Sequence, residues 1–573
     1  MAGSSPSQPR APAPAFTRLT AALAAAAVLA VPPLCWPPSA IASASRTLAV
    51  EHQYADWLDA VGAVSAIESG ASERIAGEGR RAWSRRLREL TARLNSALAE
   101  NRRAGDIDPD ILAAMRKGYA DYLPAASDAS SEPPVHCTDA AAAIDVTVLQ
   151  RALYACFDEI GDHIEIDGVR MVRTTALQQL QQIESREKRR RLFFSLAPLW
   201  RAVNASNMPD SPYRRMIRLD TAARGDKRSL IDDAAATVGI APAQIEPWLL
   251  QALEGWRQQS RGPPLEPWDY WYASAGASRA VSQAVPREAL LGVAKRFYRD
   301  LGADLDRLQV QHDLDVRPGK APLAYTDQVR IGRRIGAAWR PTLARVSANY
   351  EQGGLYVLNE LIHEDGHAVH FDAVRTRPAY FSLGDDLFFE AFADVPAWST
   401  SEPVWQTRYL GTSASEGSGL RELFSNVMLD VAWSLFEVRM LRNPSADPNA
   451  VWTDITSRYL NILPHPELSW WALRVQLVKW PGYMINYGLG SILTADIREH
   501  IRDSIGPFDA GNRRWYAWTS AHLLRFGGSI DTARLVRRFL GRPVSPDALL
   551  TQLKRAGSPD LLLGEHLGEA LIK

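Results

Sequence analysis

The chain of 573 residues has few cysteines, no excess of charge of either sign, and no long apolar run after its first segment. Its 65 basic and 65 acidic residues cancel, so no net field draws the whole molecule to nucleic acid or to an anionic membrane. Recognition must therefore be local. The three cysteines, Cys35, Cys137 and Cys156, are too widely spaced to form a zinc knuckle. The longest apolar stretch, Leu19 to Val31, is broken by Pro32 and Pro33 and falls short of the about 20 residues that span a bilayer. Internal repeats are absent, as are low-complexity tracts beyond this first segment.

That first segment is a targeting pattern. Arg10 and Arg18 precede the apolar stretch and the small residues Ala40 to Ala44 follow it, so residues 1–44 read as a signal peptide cleaved after Ala42 or Ala44. Leu34 and the paired prolines before Cys35 argue against a lipid anchor there. Cleavage removes Cys35 and leaves Cys137 and Cys156 in an oxidising compartment, where a disulfide between them is expected. The expected product is a monomer, exported to the periplasm or secreted, with no stable membrane insertion. Its 18 tryptophans suit a large core or an aromatic-lined cleft.

Helix dominates the remaining pattern. Leu87, Leu90, Leu94 and Leu98 recur at three- and four-residue intervals within a helical stretch from about Leu48 to Tyr122. A polar loop from Pro124 to Pro134 follows, and helix resumes at Val146. The basic run Arg186 to Arg191 reads as a solvated helix face and not as a nucleic-acid site. Between Gly262 and Gly353, short apolar alternations such as Leu343 to Tyr350 read as strand and loop around one helix near Arg287 to Leu301. From Leu355 onward the pattern is helical again, including Leu420 to Leu441 and Tyr483 to Ile501. The chain is thus mainly α with a small sheet, divided into an N-terminal helical lobe over 45–260 and a second lobe over 261–573.

One motif carries chemistry. In His363-Glu364-Asp365-Gly366-His367 the two histidines, four apart, project about 40° from each other on a helix, so both imidazoles reach one metal ion with Glu364 alongside. Gly366 lowers helix propensity by about 1 kcal/mol relative to Ala, which predicts a second helix packed close against its backbone. Glu390, in Phe389-Glu390-Ala391-Phe392-Ala393-Asp394, is the candidate third ligand. Asp394, one turn later, could accept from the free ring nitrogen of a ligating histidine. One zinc per chain would keep an open position for water, and Glu364 could take that water's proton as general base. His370, on the same helix, reads as a neighbouring or surface residue and not as a fourth ligand.

The run Val346 to Tyr350 followed by Leu361 to His370 resembles the metal-binding region of thimet oligopeptidase and oligopeptidase F relatives, and Trp268 to Tyr272 resembles a segment of the same enzymes. Phe389 to Asp394, with Ser399 to Pro403, resembles angiotensin-converting-enzyme-like peptidyl-dipeptidases. The resemblance implies a two-lobed helical metallopeptidase with a deep central cleft and a small sheet beside the motif helix. It implies zinc on His363, His367 and Glu390, Glu364 as base, and short peptides as substrates. Arg345 to Tyr350 is similar to the family's edge strand, which would place Ser347 and Asn349 near a bound peptide. Tyr483 and Tyr487 stand where the family's oxyanion donors stand, but Arg474 to Trp480 contains no matching histidine and His465 lies well upstream. Asp365 also departs from the family pattern. It projects about 200° from His363, which predicts a role in packing or an ion pair.

Arg474, Gln476 and Lys479 are candidates by position for holding a substrate carboxylate. Two other functions fit the motif: a non-catalytic peptide-binding protein that keeps zinc for structure, and a zinc hydrolase with a non-peptide substrate.

Overall fold

The computed structural model describes residues 38–104, 107–126, 134–225, 229–259, 262–317, 320–321, 323–382 and 385–557. Residues 1–37, with most of the expected signal and Cys35, lie outside that set. The first described helix, Pro38–Glu68, contains both expected cleavage positions, Ala42 and Ala44. The expected loop from Pro124 begins inside the helix Pro109–Ala126, and residues 127–133 are not among those described. None of the described helices is long and apolar enough to cross a membrane.

The architecture is mainly helical, as the periodicities predict. Leu87, Leu94 and Leu98 lie buried on one face of the helix Arg80–Ala104, with Leu90 half-buried beside them. A single contiguous apolar core runs from Val50 to Ala556, so both halves of the chain share it. Much of the tryptophan is structural. The rings of Trp433 and Trp470 lie 5.2 and 4.8 Å from that of Trp452, favourable separations for aromatic contact.

Sheet is scarce and local. Strands β1 (Ile164–Ile166) and β2 (Val169–Met171) form a hairpin inside the stretch that reads as helix. Asp167 and Gly168 take positive φ at its turn, an Asp-Gly signal flanked by alternating apolar residues. In the second half, β3 (Gln311–Asp313), β4 (Tyr325–Arg330) and β7 (Leu343–Ser347) form a sheet in the order β3-β7-β4. A separate hairpin joins β5 (Arg333–Ile335) to β6 (Ala338–Arg340). Asp59 of the first helix ties it to this region, accepting from the Ile331 amide at 2.9 Å and from Arg340 at 2.7 Å.

Two local readings change. Trp268 to Tyr272 lies not in strand or loop but in the helix Pro267–Ser274, which opens on Pro267. The basic run is not wholly solvated. Arg189 is buried and donates to Asp269 at 2.7 Å, and Arg186 reaches the same carboxylate at 2.8 Å. A single acid brought from 80 residues away makes burial of that arginine tolerable.

Cys137 and Cys156 are bonded, pinning the short turn Cys137–Ala141 to the helix Val146–Glu159. In a chain lacking residues 1–44 no thiol should titrate without reductant. Cys156→Ser should lower the unfolding free energy by about 3 kcal/mol in urea titrations.

Candidate metal centre and cleft

The motif occupies the middle of the helix Leu355–Ala373, and Glu390 and Asp394 lie on the helix Asp386–Ala397. These helices cross in direct backbone contact at Gly366. A Cβ added there would stand 3.0 Å from Ala393 Cα and 3.1 Å from its carbonyl oxygen. The second helix is itself held between two neighbours, because Thr494 of the helix Ile485–Ile505 donates to the Ala391 carbonyl at 2.9 Å. Small side chains at 391 and 393 let both neighbours approach. Asn359 further ties the motif helix to the end of the second, donating to the Ala397 carbonyl at 2.8 Å.

This crossing brings three ligand-type side chains together. The candidate ligand atoms of His363, His367 and Glu390 all lie within 4.8 Å of one another. Nε2 of His363 is 3.3 Å and Nε2 of His367 is 3.8 Å from Glu390 Oε2. Asp394 Oδ1 lies 2.8 Å from His363 Nδ1, which leaves Nε2 to face the cluster. His367 stacks on Phe389, with ring centroids 3.7 Å apart. Two imidazoles and a carboxylate converging with their free atoms inward fit a divalent metal ion.

Electrostatics follow the same geometry. Burial pushes the His363 imidazole down, but its hydrogen bonds to Asp394 and Glu390 prevail and hold it well above the usual histidine value. Burial, with His363 and His370 adding to it, holds His367 well below that value. Glu364 is pushed up to about 8 by burial, against the pull of His363 and Thr326.

Glu364 has a partner that the sequence did not reveal. Thr326 of β4 places its hydroxyl 2.7 Å from Glu364 Oε2 and 2.8 Å from the Glu364 carbonyl oxygen. No motif surrounds Thr326; only the sheet brings it there. Asp365 points away from the cluster, as its projection predicts, and lies 2.8 Å from Nε2 of His312 in a buried pair. His370 is also buried, among the rings of Phe388, Phe389 and Phe392, and burial pushes it down to about 3.

The cluster opens onto a cavity of about 480 Å³ lined from both halves of the chain. Arg173, Thr174 and Gln178 come from the first half, and Tyr356, Asp430 and Arg474 are among those from the second. Tyr483 and Tyr487 both line it. The Tyr483 hydroxyl donates to Glu390 Oε1 at 2.7 Å, and the Tyr487 ring lies 5.0 Å from the Arg474 guanidinium. Both phenols are held well above the usual tyrosine value by burial, with Glu390 adding to it.

The expected edge strand is corrected. β7 lies between β3 and β4, and both its sides are paired. Ser347 is 0% exposed, and Asn349 donates to the Ala321 carbonyl at 2.8 Å; neither lines the cavity. The cleft-side strand is β4, with Tyr325, Thr326 and the preceding Ala324 in the wall. His465 bonds Glu266 and Glu467 outside the wall, and Lys479 packs over Tyr154 and Trp480, whereas Arg474 and Gln476 line it.

No protein-family model matches the chain, and no curated protein sequence matches it. Solved structures do. A protein assigned as oligoendopeptidase F superposes with a TM-score of 0.55 at 14% identity, over 90% of this chain and 98% of its own. PZ peptidase A, solved with an inhibitor, gives 0.52 at 14% identity over 89% and 96%. Trypanosoma cruzi metallocarboxypeptidase 1 gives 0.50 at 14% identity over 90% and 99%. The chain shares the overall helical fold of these solved structures. At this identity the likeness is one of backbone architecture, and the chemistry rests on this chain's own side chains.

The Gly366 contact leaves no room for a methyl group against backbone. Gly366→Ala should destabilise by about 1–3 kcal/mol in denaturant unfolding, despite the better helix propensity of alanine.

Proposed function

We propose that this chain is a zinc-dependent peptidase of short peptides. The observation that carries the reading is the convergence of His363, His367 and Glu390 beside Glu364, on the floor of a cleft walled by both halves of the chain. Two imidazoles and one carboxylate form a three-ligand set characteristic of catalytic zinc. A zinc ion held there supplies Lewis acidity, acidifying water and polarising a carbonyl.

The chain's own groups do the rest. Glu364, held by Thr326 at 2.7 Å, takes a proton from the attacking water and returns it to the leaving amine. Asp394 fixes the tautomer of His363 and raises its basicity as a ligand. Tyr487, in the cleft wall, donates to the oxygen on which charge develops, while Tyr483 holds Glu390 and stands next to it, their rings 5.8 Å apart. The cleft-side strand β4, and not β7, aligns an extended peptide by main-chain hydrogen bonds at Ala324 to Thr326. Substrates that fit a cleft of this size are short peptides and not folded proteins. Export of a monomer is part of the same proposal. It is supported by the pattern in residues 1–44 and by the Cys137–Cys156 bond.

Chelation should abolish peptide hydrolysis and zinc should restore it. Glu364→Gln should retain about one zinc per chain yet lower kcat by at least about a hundredfold. A wild-type chain that binds zinc and peptides but cleaves none of a diverse library would be the non-catalytic binding protein instead.

The cleft also favours a free C-terminus. Arg474 pairs with Asp430 at 2.8 Å, whereas Arg173 donates to the Leu473 carbonyl and has no carboxylate within ion-pair distance among the described residues. Burial, with Arg474 adding to it, pushes Arg173 down to about 10, so an incoming carboxylate would relieve its environment. That supports trimming from the C-terminus over internal cleavage. Arg173→Ala should raise KM about tenfold or more for peptides with a free C-terminus and leave amidated peptides nearly unchanged.

A further inference from the structure

Tyr483 sits on a tight turn rather than in a helix, yet its hydroxyl meets a ligand carboxylate at 2.7 Å. Gly482 takes φ +95°, and a Cβ added there would stand 3.0 Å from Leu230 Cβ. The helix Ile485–Ile505 starts immediately after, and Met484 at its N-cap position makes no side-chain capping bond. The amides around Tyr483 therefore need acceptors from elsewhere.

They find them on the helix Glu416–Arg442. The Gly482 amide donates to Glu437 Oε1 at 2.8 Å, and the Met484 amide donates to Glu437 Oε2 at 2.8 Å. Ser434, one turn earlier, lies against the Met484 carbonyl. Glu437 is 1% exposed and has no ion-pair partner among the described residues. Among the described residues, Asp220 and Tyr213 are ionisable groups that interact with it, and neither supplies positive charge. A buried acid without a cation is costly, and an amide or hydroxyl would cost less. Only a carboxylate, however, offers two acceptor oxygens in a fork, one for each amide flanking Tyr483.

We propose that Glu437 is a positioning residue for the metal centre: it clamps the backbone on both sides of Tyr483 and so holds the Tyr483 hydroxyl on Glu390 Oε1. Glu390 Oε2 is then turned toward the two histidines, 3.3 Å from His363 and 3.8 Å from His367. The inference rests on the zinc reading above but not on peptide cleavage.

The test is zinc affinity, measured by competition with a chromophoric chelator, together with thermal melting of each protein. Glutamine at 437 keeps one acceptor and turns an NH2 group toward the other amide, so it loses one hydrogen bond whatever the ionisation of Glu437. Glu437→Gln and Tyr483→Phe should each weaken zinc binding about 10–100-fold. Because both act through one hydroxyl, the double variant should bind within about twofold of the weaker single variant.

A merely structural cap would lower the melting temperature and leave zinc affinity unchanged, or its effect would multiply with that of Tyr483→Phe. Either result overturns the proposal. If Glu437→Gln gives no cooperative melt, Glu437→Asp carries the same comparison, since it keeps the charge and shortens the reach. A chain that shows this coupling in zinc binding but cleaves no peptide would end the peptidase reading and leave the clamp standing.

Discussion

The approach of two helix backbones at Gly366 and Ala393 is the contact on which the site depends. His363 and His367 face one direction because they are four apart on a helix, and Glu390 and Asp394 do so for the same reason. Nothing in either helix alone brings the two pairs within reach. The missing Cβ at 366 does so, by letting Ala393 approach to a distance that any side chain would block. Thr494 on the far side and Asn359 at the end keep the second helix from sliding.

Around that contact, several buried polar groups are paired with specific neighbours. Asp365 takes His312, Asp394 takes His363, Glu364 takes Thr326, and Asp269 takes Arg186 and Arg189. Unpaired, each would impose a desolvation cost comparable with a sizeable part of the net stability of a domain. Paired, they fix orientation, which is what a metal centre needs from the residues around its ligands. Glu437 follows the same logic with backbone amides in place of a side chain.

How much could be read in advance depended on sequence distance. The motif helix, its glycine contact, the placing of Glu390, 23 residues beyond His367, beside the two histidines and the Cys137–Cys156 pairing were all legible, because each rests on a local pattern or on a count of residues. The hairpin at Asp167-Gly168 carries a turn signal within a stretch whose periodicity is otherwise helical. Ser347 and Asn349 lie away from the cavity for a different reason. An apolar run such as Leu343 to Ser347 announces a strand, but whether it is central or at the edge depends on where β3 and β4 pair with it. Thr326 and Glu437 carried no signal, since both act on groups 38 or more residues away.

By itself the sequence determined a mainly helical chain with two histidines and a glutamate on one helix face and, on a second helix, an acidic pair one turn apart. These follow from periodicity and propensity, which act over a few residues. Tertiary structure alone decided that the cleft-side strand is β4, that Tyr483 bonds Glu390, that Arg173 reaches the cavity unpaired by any described carboxylate, and that a buried carboxylate grips the turn beside the metal centre. Those are outcomes of packing one shared core from both halves of the chain, where the partner of each polar group is set by which surfaces bury together.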